Sequence, residues 1–281
     1  MKTLTQLSGF AILVLITMTS CTKEEFDSVQ NIEIYFDGVQ NIEIYAIKSV
    51  VRGDKTILRY IYNRIGKIAE NEGRYFYNRY SYDNNGRLIK QESAVDLSVL
   101  FSFPKTELMT FQNCTITSYK IFKYDQEEKL IEIKNYYKKE GDFVYTSMNS
   151  LEYNGDLIVK RNLHNKDGTI TQFYTYEYDN NGNVEREKYY SYLFTESSEP
   201  RLISENTFKY DNKKNPFIIF KELGIPGLYT NTNNRIETNS ILYEYVPGID
   251  KFSTSKIAYE YNQYDYPVKE ISDNDEYEYK Y

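Results

Sequence analysis

Tyr174-Thr-Tyr176-Glu-Tyr178-Asp179-Asn180-Asn181-Gly182-Asn183-Val184 is the stretch whose reading decides the fold. Its first half alternates aromatic with polar residues. On a strand, residues two apart share a face, so three rings line up on one side with Thr175 and Glu177 on the other. The second half is a chain reversal. An Asp after a strand can accept bonds from backbone amides further on, and Gly182 adopts the left-handed conformation that turns the chain back. Val184 then re-enters the sheet as the first apolar residue of the return strand.

The same grammar recurs along the chain. Tyr82-Asp83-Asn84-Asn85-Gly86-Arg87-Leu88 is a close copy, and Tyr-Asp or Tyr-Asn pairs also begin at Tyr62, Tyr124, Tyr153, Tyr210 and Tyr261. Tyr243-Glu-Tyr245, Tyr259-Glu-Tyr261 and Tyr277-Glu-Tyr279-Lys-Tyr281 repeat the aromatic-polar alternation. The chain holds 31 Tyr and 15 Phe but no Trp, a composition suited to half-buried strands. No stretch after the N-terminal segment carries a long apolar period of 3.6. The expected fold is therefore all-β. The Tyr-Asp/Asn pairs are unevenly spaced, so each hairpin has its own arm length and a strict solenoid is disfavoured. An antiparallel meander of β-hairpins, curled into a partly open barrel or a sandwich, is expected instead. In that setting Asp83, Gly86, Asp179 and Gly182 are turn residues.

These units resemble the YD (tyrosine-aspartate) repeats of RHS-type proteins. They are more closely similar to Tyr-rich Bacteroidetes lipoproteins of unknown function that carry YD-like hairpins. That resemblance covers much of residues 57–281, and it implies a curled, porin-like meander.

The N-terminus reads as an export signal. Lys2 precedes the apolar run Phe10–Ile16, too short to cross a bilayer of about 30 Å, and Ser20-Cys21 follows. This resembles a lipobox, so residues 1–20 are expected to be removed and Cys21 acylated. Lys23, Glu24 and Glu25 resemble the signal that directs Bacteroidetes lipoproteins to the outer face of the outer membrane. Asp27-Ser28-Val29 resembles an O-glycosylation acceptor, with Ser28 as its hydroxyl. The expected organisation is a signal peptide (1–20), an acylated tether (21–30) and one all-β domain (31–281). Across the boundary of the last two parts Val29–Tyr35 is repeated as Val39–Tyr45, with Phe36-Asp37-Gly38 between the copies.

Charge and composition restrict the function. The net charge of −7 becomes −8 once Lys2 is removed, and no basic block is present. Phosphate neutralisation needs clustered Lys or Arg, so a nucleic-acid partner is not expected. Membrane contact is expected through the lipid on Cys21. Cys114 is then the remaining thiol, which leaves no intramolecular disulfide, and Phe111–Thr117 reads as a strand with a buried, inert Cys114. The single histidine, His164, falls at a hairpin tip and is expected to be an exposed loop residue without a role. Triad hydrolysis and zinc chemistry lack their ligands, and neither a phosphate loop nor an EF-hand spacing occurs, so no cofactor and no metal are expected. Acids alternating with Tyr, such as Glu177, Glu260, Glu276 and Glu278, are expected on a solvated face.

What remains is the aromatic surface and one long loop. Leu223–Asn239 is dense in Gly, Pro and Asn and is expected to be an exposed loop. Tyr229, Asn231, Asn233 and Asn234 are its candidate binding residues. The functional expectation is a non-enzymatic, surface-exposed outer-membrane lipoprotein that binds an extracellular glycan or protein or serves a structural role. Glycan capture in a polysaccharide-utilisation system is its sharper form. A carboxylate-dependent glycosidase and a membrane-spanning barrel are the rivals.

Overall fold

The structure, a computed structural model, describes residues 46–96, 105–193, 199–227, 229–246, 248–272 and 275–281. Its strands are β1 (Ser49–Arg52), β2 (Lys55–Tyr62), β3 (Ile68–Gly73), β4 (Phe76–Tyr82), β5 (Leu88–Val95), β6 (Ser118–Tyr124), β7 (Leu130–Lys139) and β8 (Asp142–Asn154). They continue as β9 (Leu157–His164), β10 (Ile170–Tyr178), β11 (Val184–Ser191), β12 (Arg201–Lys214), β13 (Asn233–Val246), β14 (Ile249–Tyr261), β15 (Pro267–Ser272) and β16 (Asp275–Lys280). Every strand pairs antiparallel with its sequence neighbours, and β1 pairs with β16, so the sixteen strands form a closed barrel. The meander is as expected, and closure excludes the open and sandwich forms.

The alternation in the opening stretch sets which side faces in. Directly paired residues of neighbouring strands share a face, and Tyr60, Tyr80, Leu151 and Tyr279 belong to one hydrophobic cluster inside the ring of strands. By register Tyr174, Tyr176 and Tyr178 face inward with Arg161 and Val184, while Thr175 and Glu177 face outward with Lys160 and Arg186.

All hairpins that follow a Tyr-Asp/Asn pair lie at the same end of the barrel, because each links an even-numbered strand to the next odd one. In each, the pairing register slips by one residue just before the motif tyrosine, as between Glu177 and Tyr178 or Ser81 and Tyr82. The same slip marks Tyr62, Tyr124, Tyr153, Tyr210 and Tyr261. Such bulges bend a strand and sharpen its right-handed twist. Repeated around one rim, they curl the sheet until its first and last strands meet.

One stretch departs from the sequence reading on the outer wall. Residues 105–117 are irregular rather than a strand, and they lie across the outside of β3–β5. Met109 packs there with Tyr77 and Ala94, with Cys114 and Ile116 alongside. Met109 N donates to Gly73 O at 2.8 Å, and Asn113 Oδ1 holds a local turn by accepting from Thr110 N at 2.7 Å. Cys114 is thus half-buried in a satellite cluster and not in a strand.

Candidate functional site

The motif residues build the rim. Asp83 Oδ1 accepts from Asn85 N and Arg87 N at 3.0 and 2.9 Å, and Asp179 Oδ1 accepts from Asn181 N and Asn183 N at 2.8 and 2.9 Å. Gly86 and Gly182 sit at φ 77° and 81°, where a Cβ would be strained. The bond from the Arg87 amide, helped by the Arg87 guanidinium, holds the Asp83 carboxyl below its ordinary pKa. At Asp179 partial burial pushes upward, but bonds from the Asn183 side chain and backbone outweigh it, so this carboxyl is also lowered. All four residues lie in the turns at this rim.

The tyrosine before each turn has a role that the sequence did not disclose. Its hydroxyl crosses to the preceding hairpin and donates to the carbonyl of the first buried apolar residue of that hairpin's return strand. Tyr82 reaches Ile68 O at 2.7 Å, Tyr124 reaches Leu88 O at 2.9 Å, and Tyr178 reaches Ile158 O at 2.7 Å. Tyr153 and Tyr210 do the same to Leu130 and Val184 at 2.8 and 2.7 Å, and at the barrel's seam Tyr62 reaches Ile47 O and Tyr281 reaches Pro267 O, both at 2.7 Å. Tyr261 bonds to the Asp211 carboxylate instead. The result is a ring of cross-hairpin bonds. The signal for it was the invariable Tyr, which a turn alone does not require.

The Asn-rich loop corrects an expectation. It is not an exposed platform: its first part is the return limb of a plug, and from Asn233 onward it is the start of β13, paired with β12. Asn215 caps a 3-10 helix (Pro216–Leu223) by accepting from Phe217 N at 2.9 Å, and Gly224 ends it at φ 65°. The helix enters the barrel at the motif rim. Phe220 stacks on Tyr60 with ring centroids 5.0 Å apart, Phe217 meets Tyr279 edge-on at 5.9 Å, and Tyr229 closes edge-on against Phe220 at 5.7 Å. Burial pushes the Tyr229 hydroxyl up to about 12. Asn231, 2% exposed, accepts from Val184 N at 2.9 Å and donates to Gly227 O and the Tyr210 hydroxyl. Asn233 bonds to Asn183 and Lys213 O, and Asn234 to Asp211. Their amides satisfy buried backbone where the chain leaves the sheet.

Beyond the plug the inner wall changes character. Asn71, Asn78, Gln91 and Ser93 face inward in one hydrogen-bonded set, with Asn78 Nδ2 donating to Asn71 Oδ1 at 2.8 Å and Ser93 Oγ to Asn78 Oδ1 at 2.6 Å. Lys120, paired with Gln91 and Asn135, faces the same way. So does Arg161, paired with Leu151 and Tyr174, whose guanidinium lies over the Tyr174 ring 4.6 Å from its centroid. Tyr174 stacks in turn on Tyr189 at 4.8 Å. Tyr176 is 4% exposed and its hydroxyl has no hydrogen-bond partner among the described residues; Arg161 Nε is likewise buried and unpartnered. Glu187, opposite Tyr176, accepts from Asn206 Nδ2 at 3.1 Å. Burial raises the pKa of Glu187, and also that of Glu270, whose carboxylate takes the Tyr279 hydroxyl.

The outer wall is a different surface. Its charges pair with one another: Arg79 with Glu92 at 2.7 Å, Lys209 with Glu237 at 2.8 Å, Lys269 with Glu276 at 2.8 Å, and Arg186 with Glu177 at 3.1 Å. Aromatic pairs stand among them, notably Tyr119–Tyr136 at 4.6 Å and Phe173–Tyr190 at 4.7 Å. Each pair is stacked with its planes within 14° of parallel, so the rings cover one another's faces. His164 ends β9 and is held rather than idle. Its Nδ1 donates to Gly168 O and its Nε2 accepts from the Ser150 hydroxyl, both at 2.9 Å. Among the described residues no cluster of His, Cys, Asp or Glu could hold a metal ion. No helix in them is long and apolar enough to cross a membrane. Cys21, Lys23, Glu24, Glu25, Ser28 and the 29–35/39–45 duplication lie outside the described residues.

Fold and site together define a class, the closed antiparallel barrel plugged at one rim by its own chain. No protein-family model matches the chain, and no curated protein does. Among solved structures, a porin-like protein from Bacteroides uniformis is similar at a TM-score of 0.36 and 11% identity, over 75% of this chain and 92% of that one. A protein of unknown function from Bacteroides fragilis is similar at 0.25 and 9%, over 64% and 90%. TcdB2-TccC3 is similar at 0.29 and 11%, over 78% of this chain; the chain spans 11% of its length.

Proposed function

We propose that this protein is a non-enzymatic binding module, held at the outer face of the outer membrane by lipid on Cys21, and that its barrel is a ligand cup. The observation that carries this reading is the two-part interior. One half is apolar and filled by Phe217, Phe220 and Tyr229, while the other presents polar side chains, stacked tyrosines and cations. Closed barrels of this size exceed what side chains alone fill, and sites that bind small ligands combine aromatic walls with a few polar groups. Glycan capture is the preferred form, because Asn, Gln, Ser and Tyr match the donors and acceptors of a sugar.

The outer wall argues against a barrel that spans the bilayer, because each Lys or Arg at mid-membrane costs about 2 to 4 kcal/mol. The enzyme rival has a candidate pair in the inward-facing Glu187 and Glu270. Release of reducing sugar that is abolished in Glu187→Gln and Glu270→Gln would favour it. The cup is tested by calorimetric titration with soluble polysaccharides, using wild type and Tyr174→Ala. Weakened binding in the variant supports it; unchanged binding assigns the ligand to another surface. Protease shaving of intact cells, with Lys23, Glu24 and Glu25 changed to Ala, tests the location. Protection of wild type and variant alike would place the barrel in the periplasm.

A further inference from the structure

Resting on that reading of the barrel as a cup, we infer that the ligand is an acidic saccharide whose carboxylate or sulfate is held between Lys120 and Arg161, with the Tyr176 hydroxyl as a further donor. The protein as a whole is acidic, yet the inward-facing charges midway along β5 to β10 are both cations. On the outer wall Arg79, Lys90, Lys160 and Arg186 sit beside carboxylates, whereas neither Lys120 nor Arg161 has one within ion-pair distance among the described residues. By register both side chains face the same interior, from β6 and β9, and like charges in one enclosed space repel each other unless an anion joins them.

Tyr176 supplies an independent observation. Its ring is buried, and its hydroxyl is unpartnered on the strand next to Arg161. A buried polar atom in that state is costly unless an outside group supplies the bond. The Arg161 guanidinium lies over Tyr174, 4.6 Å from the ring centroid, and its Nε is unpartnered; planar guanidinium recognises carboxylate and sulfate oxygens through such N–H groups. Glu187 is the nearby acid. It is engaged by Asn206, and it sets a limit on affinity that its removal would lift.

The test is isothermal titration of the full lipidated protein in detergent micelles with three probes: oligogalacturonate, chondroitin sulfate fragments and dextran oligomers. Wild type is expected to bind one or both acidic probes and not dextran. Lys120→Gln and Arg161→Gln are expected to weaken acidic binding about tenfold or more each, the usual scale for a charge-assisted bond. Arg161→Lys should recover part of the loss. Glu187→Gln should tighten binding, an effect that a merely structural role would not produce. Thermal melts confirm that each variant is folded. Preference for galacturonate over chondroitin sulfate assigns a carboxylate; the reverse assigns a sulfate when the binding is lost on chemical desulfation of the chondroitin, and a carboxylate when it is kept. Dextran binding equal to that of the acids, unaffected by Lys120→Gln and Arg161→Gln, would overturn the acidic ligand while leaving the cup. Acidic binding that both variants retain would place the site elsewhere. Absence of binding by all three probes would remove the proposal, and the glycan form of the cup with it.

Discussion

Changing Tyr178 to Phe removes one oxygen and leaves the ring in place, so it isolates the cross-hairpin bond from packing. The hydroxyl donates to Ile158 O at 2.7 Å, and Ile158 is 8% exposed, so water has little access to replace the donor. A buried hydrogen bond contributes about 1 kcal/mol net, and an orphaned buried acceptor raises the loss toward about 2. Tyr82→Phe and Tyr124→Phe remove equivalent bonds to Ile68 and Leu88 on other hairpins. Sites that share no partner add within about 0.5 kcal/mol, so the triple variant should lose about 3 to 6 kcal/mol. Against a total of about 5 to 15 kcal/mol, that is a large fraction of the stability. Urea unfolding followed by far-ultraviolet circular dichroism reads it as a lower midpoint with an unchanged slope. The control is Tyr119→Phe, an outer-wall ring stacked on Tyr136, expected to stay within about 0.5 kcal/mol of wild type. A triple variant that unfolds at the wild-type midpoint, or a control that loses as much as Tyr178→Phe, would refute the bonded rim.

Further outcomes follow from the same contacts. Gly224→Ala places a Cβ 2.6 Å from Leu130 Cδ2 at φ 65° and should cost about 2 to 4 kcal/mol by thermal melt, whereas Gly155→Ala, at φ 60° with open space around it, should cost about 1. In alkali, unfolded tyrosine ionises near 10, while burial holds Tyr229 at about 12 and keeps Tyr62, Tyr178 and Tyr210 well above the ordinary value. The folded state thus retains protons that the unfolded state loses, so stability is full below pH 10 and falls as pH rises beyond it. Tyrosinate absorbance should appear in an early exposed wave and a late one coincident with unfolding, and a single wave near pH 10 in folded protein would contradict the burial. In acid, the lowered Asp83 and Asp179 carboxyls contribute stability above their unfolded pKa that is lost as pH falls through the folded values. Asp179→Asn should keep the turn, as Asn63 and Asn262 do at equivalent positions, while flattening that acid dependence; Asp179→Ala should lose both.

Much of the wall was legible because it depends on neighbours in sequence. The inward row Tyr174, Tyr176, Tyr178 follows from period two. The turns at Asp83–Arg87 and Asp179–Asn183 close within five residues, so their residue types declare them. Glu177 and Glu276 lie on the outer face and pair there with Arg186 and Lys269. The loop from Leu223 to Asn239 was misread because Gly, Pro and Asn report only that backbone leaves a regular element. Whether their amides then face water or buried carbonyls depends on β11 and β12, which lie tens of residues away. Phe111–Thr117 was misread for a related reason. Its β-branched and aromatic residues suit an outer-wall patch over Tyr77 as well as they suit a strand.

By itself, then, the amino-acid sequence determined an all-β meander, its hairpin turns, and which side chains share a face, since each is set by interactions over a few residues. The tertiary structure alone decided that the sheet closes, that the 3-10 helix Pro216–Leu223 turns inward to plug one rim, and that Lys120 on β6 and Arg161 on β9 face one interior. Those outcomes depend on bulge-driven twist summed over sixteen strands and on contacts between residues far apart in the chain. No local pattern carries that sum, so it has to be read from the folded barrel.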